Sequence, residues 1–288
     1  MIVSTTTAMQ KHLLSFNLKI EKAEDNRFAP FLQRAQEWAT EHILGEDIEE
    51  TIEIDLSPGQ ANPHERLMAL AGRVISEQAY LSSIAESDLQ RSEAGFVVQM
   101  NEKMSPASQQ RVDRLIQSLN ERLNWDCDAL VNYLLRHSTD GAAYEDWRGT
   151  RQFAYLTDAF IPTMAVMRQH AGQNTVQRWQ GFHDLQPKLA MALRTTVAGY
   201  VGIDEVETLL ELYRDDEMLD VHKKALRWIR MSVLAEASGD LEAAVRFAIE
   251  ARGWMLRHES DFPEFVGSDR YELPEPFSFG DGTIANAL

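Results

Sequence analysis

A short phrase that occurs twice constrains this chain more than any other feature of its sequence. GEDIEETI begins at Gly45 and GIDEVETL at Gly202, so Gly45, Asp47, Glu50 and Thr51 recur in register as Gly202, Asp204, Glu207 and Thr208. Reading back at the same offset, Pro30, Leu32 and Ala35 meet Pro187, Leu189 and Ala192. Past the phrase one residue is gained; His64 then meets His222, and Ile75 and Ala79 meet Val233 and Ala237. Ahead of it, Thr6 and Ala8 meet Thr157 and Ala159 at a shorter spacing. A chain repeating in this way is expected to fold as one unit made twice: a short lead-in helix, a helix opened by Pro and closed by Gly, an acidic loop and a second long helix. Repetition of this kind speaks to architecture and not to chemistry.

Between these anchors the apolar period is helical. Thr5, Thr6 and Thr7 offer N-caps to a short helix from Ala8 to Leu14, and Asp25 or Asn26 to the next, whose apolar positions Phe28, Phe31, Leu32, Ala35, Trp38, Ala39, His42 and Ile43 run up to Gly45. Residues 46–63, acidic and then SPGQANP, read as loop. Pro63 suits the first turn of a helix with Leu67, Leu70, Ala71, Val74, Ile75 and Leu81 on one face. Ser105 and Pro106 open a long stripe from Val112 to Leu135, in one helix or two, and the period lapses over Ser138 to Thr150, which reads as a connector between halves. In the second half Thr157 and Asp158 cap a short segment and residues 169–180 form a polar loop. Leu185 to Val201 is helix up to Gly202, and Asp220 caps a helix bearing Leu226, Ile229, Val233 and Leu234. After the break at Gly239 and Asp240 comes a last helix, Leu241 to Leu256. SGDLEAAVRFAIEA, spanning that break, resembles the middle of a tetratricopeptide repeat, but one copy cannot build a continuous core, so an ordinary αα-hairpin is expected.

Two stretches depart from the helical pattern. Residues 87–100 turn aromatic and β-branched around Gly95, at Phe96, Val97 and Val98, which predicts a small β-hairpin or extended arm. Residues 261–288 place Phe262, Phe265, Tyr271, Phe277 and Phe279 among Pro263, Pro274, Pro276, Gly280 and Gly282. That mixture forbids a regular helix and is too aromatic for a solvated linker, so an extended C-terminal docking tail is expected, or one folded back on its own domain. The five tail aromatics with Phe96 and Val98 are the candidate partner-binding residues. The resulting division is a first helical half over 1–137 with its arm at 87–100, a connector over 138–150, a second helical half over 151–260 and the tail over 261–288.

Composition narrows function by exclusion. A chain of 288 residues, 44% hydrophobic, has material for one large or two modest cores. No apolar run reaches the length of a membrane span and the N-terminus lacks a signal-peptide pattern, so a soluble product of the cytoplasm is expected. Cys127 is the only cysteine; it admits neither an intramolecular disulfide nor a cysteine metal cage and reads as a small buried hydrophobe. A formal charge of −17 disfavours a phosphate-gripping surface, and suits either a solvated exterior or one that lies beside DNA without adhering.

Catalytic motifs are absent. None of the eight histidines stands in HExxH or HxH spacing, and there is no GxSxG, Walker loop or GxGxxG. His64 and His222 read as helix-start residues. The acidic runs Glu46, Asp47, Glu49, Glu50 and Asp215, Asp216, Glu217 read as solvated loops, the repeated acidic loop being the one place where a divalent cation could sit. No catalytic, cofactor-binding or metal residue is expected.

The order of elements carries a resemblance. A threonine-capped short helix, a helix ending at HILGEDI, an acidic loop and a long helix such as ERLMALAGRVISEQAYL together resemble the head-to-tail connector, or adaptor, proteins of tailed bacteriophages. With SDLQRSE at Ser87 to Glu93 and FPEF at Phe262 to Phe265, the full length further resembles an uncharacterised family of two-copy proteins of phages and prophages of gut bacteria. The resemblance implies a mainly α fold of two connector-like halves and a non-enzymatic virion protein. It implies a homo-oligomeric ring at the phage neck, between the portal and the tail or stopper proteins, assembled in the host cytoplasm. No cofactor or catalytic residue comes with it, and the doubling departs from the simple connector. The rival expectations are a soluble all-α enzyme or regulator, which would need a pocket with convergent titratable groups, and a helical-repeat interaction scaffold.

Overall fold

The computed structural model describes residues 2, 9, 12, 13, 28–46, 48, 64–87, 90–92, 95–97, 109–138, 141–171 and 176–272. Over these the chain is mainly helical and divides into two compact units. Unit 1 comprises Met1–Leu156, Pro162–Ala165 and Val176–His183; unit 2 comprises Thr157–Ile161, Val166–Thr175 and Asp184–Leu288. No described helix is long and apolar enough to cross a membrane.

Unit 1 is built on three helices, α1 (Ala29–Ala39), α2 (Glu65–Ser87) and α3 (Gln109–Arg136), with α2 packed against both others. The apolar stripe of α2 is the one its period predicts: Leu67, Leu70, Ala71, Val74 and Ile75 are fully buried, and so are Leu130, Val131 and Leu134 of the uninterrupted α3. Phe28 occupies the cap position of α1, which Pro30 opens; the expected caps Asp25 and Asn26 lie outside the described residues. The helix widens into a π turn over Thr40–Leu44 and stops at Gly45. Gly45 has φ +78, and a Cβ there would stand 2.7 Å from the Thr150 methyl, so both conformation and space require glycine. Between α2 and α3, β1 (Gln90–Ser92) and β2 (Gly95–Val97) pair antiparallel with Arg91 opposite Phe96.

The stretch expected to connect the halves is instead structured in unit 1. Ala142–Arg148 is helix α4, followed by α5 (Arg151–Thr157). The reason lies in the helix end it serves. The carbonyls closing a helix have no intrahelical partners. The buried Trp147 indole donates to the Ile43 carbonyl at 2.8 Å, and the Gln152 amide to those of Glu41 at 2.9 Å and Thr40 at 3.3 Å. Periodicity lapses at 138–150 because Trp147 spends its contacts across 104 residues of sequence.

The middle of α3 also caps helices remote in sequence. Asp128 accepts from the amides of Met164 (2.9 Å) and Ala165 (2.8 Å), the start of α6 (Met164–His170). One turn earlier Asn124 accepts from the Trp179 amide at 2.7 Å, at the start of α7 (Trp179–Ala192), and donates to the Gln177 carbonyl at 2.8 Å. The short segment of the second half is therefore capped by Asp128, and not by Thr157 and Asp158 as expected. Pro187, expected to open its helix, lies inside α7. A proline leaves the carbonyl four residues back without its amide partner; the Tyr155 hydroxyl donates to that carbonyl, of His183, at 3.0 Å.

In unit 2 α7 runs through a second π turn, Leu193–Val197, into α8 (Ala198–Val201) and ends at Gly202 with φ +92. The acidic loop expected next is a helix, α9 (Ile203–Arg214): Val206, Leu209 and Leu210 are buried at helical spacing, and Asp204, Glu207 and Glu211 line the outer side. The hairpin of α10 (Asp220–Ala237) and α11 (Leu241–Leu256) follows as expected, with Asp240 accepting from the Ala243 amide at 3.0 Å. Residues 157–161 are fastened to three of these helices. Asp158 pairs with Arg194 (2.7 Å) and Arg214 (3.6 Å), and Arg230 donates to the carbonyl of Phe160 (2.7 Å), which has φ +59. A bulky residue held left-handed costs about 1–3 kcal/mol and persists only where its surroundings dictate it.

Candidate functional site

In unit 1 the α1 end and residues 149–152 bound a cleft of about 800 Å³. Its walls carry Gln33, Glu37, Glu41, Glu46, Arg151 and Gln152, all but Gln152 well exposed. A small-molecule site is characteristically apolar with a few convergent polar groups. This cleft is the reverse, amides and solvated carboxylates around one guanidinium.

The strongly perturbed carboxyl of unit 1 lies elsewhere, between α2 and α3. Glu77, 5% exposed, is pushed up to about 8, first by burial and then by the neighbouring Asp126 charge and the hydrogen bond to it. Asp126 is itself raised by burial, against the pull of Arg73, which stands 3.3 Å from its carboxylate. Near neutral pH Glu77 therefore keeps its proton and donates it to Asp126. Neither residue lines the cleft. Cys127, next in sequence, is fully buried, its thiol raised well above the usual range by burial. No group of three or more His, Cys, Asp or Glu side chains among the described residues could hold a metal ion.

In unit 2 the polar side chains converge on the beginning of the tail. Past a 3₁₀ turn (Glu259–Asp261) the chain forms the single-turn helix α12 (Pro263–Val266). Phe262 and Phe265 are fully buried, Phe262 edge-on to the His222 ring at 5.3 Å. Glu205, 1% exposed, accepts from the Phe265 amide at 2.9 Å. Burial raises Glu205 to about 7 although that bond opposes the rise, and Glu264 adds to it. His222 Nδ1 accepts from the Leu219 amide at 3.2 Å, which leaves Nε2 to donate to the Asp261 carbonyl at 3.0 Å. The buried Arg252 donates to the carbonyls of Arg270 (3.2 Å) and Tyr271 (3.3 Å), and the half-buried Tyr271 donates its hydroxyl to Glu259 at 2.7 Å.

Burial removes Phe262 and Phe265 from any exposed surface, so the tail expected to leave at 261 is folded onto unit 2 through Glu272 as far as it is described. Tyr271 reaches the surface at its edge. Phe277, Phe279 and Val98 lie outside the described residues, and Phe96 is placed only by its backbone in β2. Sequence reasoning named His222 as a helix-start residue but missed its bond to the tail, and it missed Glu205 and Arg252. One signal existed for Glu205: it stands one turn before Leu209, on the stripe that α9 buries.

Residues 22–156 match a family of unknown function (DUF6712). The match ends where the continuous part of unit 1 ends, at Leu156. No protein of curated function and no solved structure matches the chain.

Proposed function

We propose that this chain is a non-enzymatic structural protein that assembles with copies of itself into a ring of the head-to-tail connector kind, at a phage neck between portal and tail. The observation that carries the reading is the exposure of large apolar side chains on well-formed helices. Trp125 of α3 is 73% exposed, and in unit 2 Met191 of α7 and Leu241 of α11 are 66% and 62% exposed. Tryptophan in particular is concentrated where proteins meet, because a ring of its size is most useful once desolvated. The acidic balance suits a channel that DNA must traverse without adhering. The two halves are read as duplicates, since Gly45 and Gly202 each end a helix containing a π turn, with φ +78 and +92. The strands at 90–97 are read as the hairpin of an arm, which would gain stability by pairing with a neighbouring subunit.

An enzyme would place its perturbed titratable groups in its cleft. Here Glu77 and Asp126 are away from the cleft residues, which favours assembly over catalysis. Negative-stain microscopy and native mass spectrometry test the reading: closed rings alone or on an isolated portal are expected, and a monomer that ignores the portal would contradict it.

A further inference from the structure

The outer face of the α10–α11 hairpin is the exception to an acidic protein. Residues 220–258 carry seven Lys and Arg against five Asp and Glu, where the whole chain has 28 against 45. Lys223, Lys224, Arg227, Arg246 and Arg257 are all exposed, and among the described residues none lies within ion-pair distance of a carboxylate. Four of them stand over aromatic rings instead. Lys224 Nζ is 5.2 Å and Arg257 Cζ 5.8 Å from the centre of Trp254; Arg227 Cζ is 5.7 Å from Trp228 and Arg246 Cζ 5.1 Å from Phe247. Trp228 and Phe247 stack on each other across the hairpin at 6.1 Å. The rings, half-buried, hold the cations in place, so little side-chain entropy remains to be lost on binding an anion. His170 registers the local field: its proton affinity is lowered by burial, then by Arg230 and Arg227. Glu242 and Glu250 are the exposed carboxylates of α11 itself.

The complement of this face is on the same chain. Asp204, Glu207 and Glu211 form one exposed stripe along α9, about 10 Å long at the helical rise, and Asp215, Asp216 and Glu217 continue it. Within 203–217 Arg214 is the only basic residue, and it is turned to Asp158 and Thr157; Arg194, outside that range, stands 3.7 Å from Glu207 while making its shorter pair with Asp158. The π turn Leu193–Val197 and α8 pack against both α9 and the hairpin. The acidic edge and the cationic face thus belong to different elements on a shared support.

We propose that the cationic, aromatic face of the α10–α11 hairpin docks the acidic α9 edge of a second copy of this chain. The inference rests on the ring reading and supplies its contact. Each copy offers both surfaces, so the contact is heterologous, propagates from copy to copy, and closes into a ring when the rotation allows. A nucleic acid is disfavoured as occupant because the remaining surface of a chain at −17 repels an extended polyanion, whereas the α9 edge presents a short anionic stripe.

Charge reversal in two places tests this on the full chain. One variant carries Lys224→Glu, Arg227→Glu and Arg246→Glu; the other carries Glu207→Lys and Glu211→Lys. Native mass spectrometry and sedimentation at low and high salt are expected to show wild-type oligomers, at least tenfold weaker association of each variant alone, and recovered oligomers when the two are mixed. Helical circular dichroism checks folding, and Arg227→Gln with Arg246→Gln replaces the first variant if it fails to fold. Oligomers that persist in both variants overturn this contact and leave the ring reading standing. A wild type that stays monomeric both alone and with an isolated portal overturns both. Wild-type binding to a single-stranded DNA oligonucleotide that only the first variant loses, without any change in assembly, assigns the face to nucleic acid and overturns the proposal.

Discussion

Glu205 accepts the Phe265 amide at 2.9 Å, and that bond ties the tail to α9. Glu205 is held at about 7 in the folded protein, above its usual 4.5, and an unfolded chain restores the lower value. The folded state thus binds this proton more tightly. Its contribution is complete below about pH 4.5 and is lost as the pH rises to about 7, a span worth at most about 3 kcal/mol. Glu205→Gln keeps an acceptor for Phe265 and is expected to flatten this part of the stability-versus-pH curve, seen in urea melts from pH 4.5 to 8. Glu205→Ala leaves a buried amide unpaired and is expected to cost about 1–3 kcal/mol near pH 4.5, with a smaller difference from wild type as the pH rises to about 7.

Glu77 is expected to behave alike over a wider span. Its carboxyl rises from 4.5 to about 8 by burial beside Asp126, so unit 1 loses stability as the pH climbs through that range. Glu77→Gln, which still donates to Asp126, is expected to be more stable than wild type at pH 8 and nearly equal at pH 4.5. Thermal melts at the two pH values check it; equal differences at both would show that Glu77 does not hold the proton.

Asp128→Ala removes the acceptor of the Met164 and Ala165 amides and is expected to destabilise unit 1 by about 2 kcal/mol. Asn124→Ala is expected to do the same at Trp179. Hydrogen exchange resolves them: each variant accelerates exchange at its own helix start, and uniform acceleration throughout unit 1 would mean that the caps are not separable.

These caps also show why part of the fold was legible in the sequence and part was not. Helices whose stability comes from a local apolar stripe, such as α2 with Leu67, Leu70, Val74 and Ile75, can be read from period alone. So can the hairpin broken at Gly239 and Asp240. Helix α4 and the start of α6 depend on Trp147 and Asp128, whose partners are 104 and 36 residues away, and no local rule reaches them. The α9 acids looked like loop because their number masked the stripe of Val206, Leu209 and Leu210 beneath. The tail latch was hidden for the same reason as the caps. Glu205, His222 and Arg252 are 60, 39 and 18 residues from the groups they hold.

Truncation separates the two parts of the tail. A chain ended after Asp261 loses the fully buried Phe262 and Phe265 and is expected to destabilise unit 2 by more than about 3 kcal/mol. One ended after Glu272 keeps every tail contact described above and is expected to melt as the full chain does. If Phe277 and Phe279 are docking anchors, the longer truncation product also loses portal binding or assembly. Unaltered assembly would remove them from that role.

The central claim is that copies of this chain assemble through surfaces they already display. Its most direct test is the mass of the purified full-length protein by native mass spectrometry, across concentration and with and without an isolated portal. A single closed oligomer, formed alone or on the portal, is the predicted result; a monodisperse monomer under every condition would contradict the account.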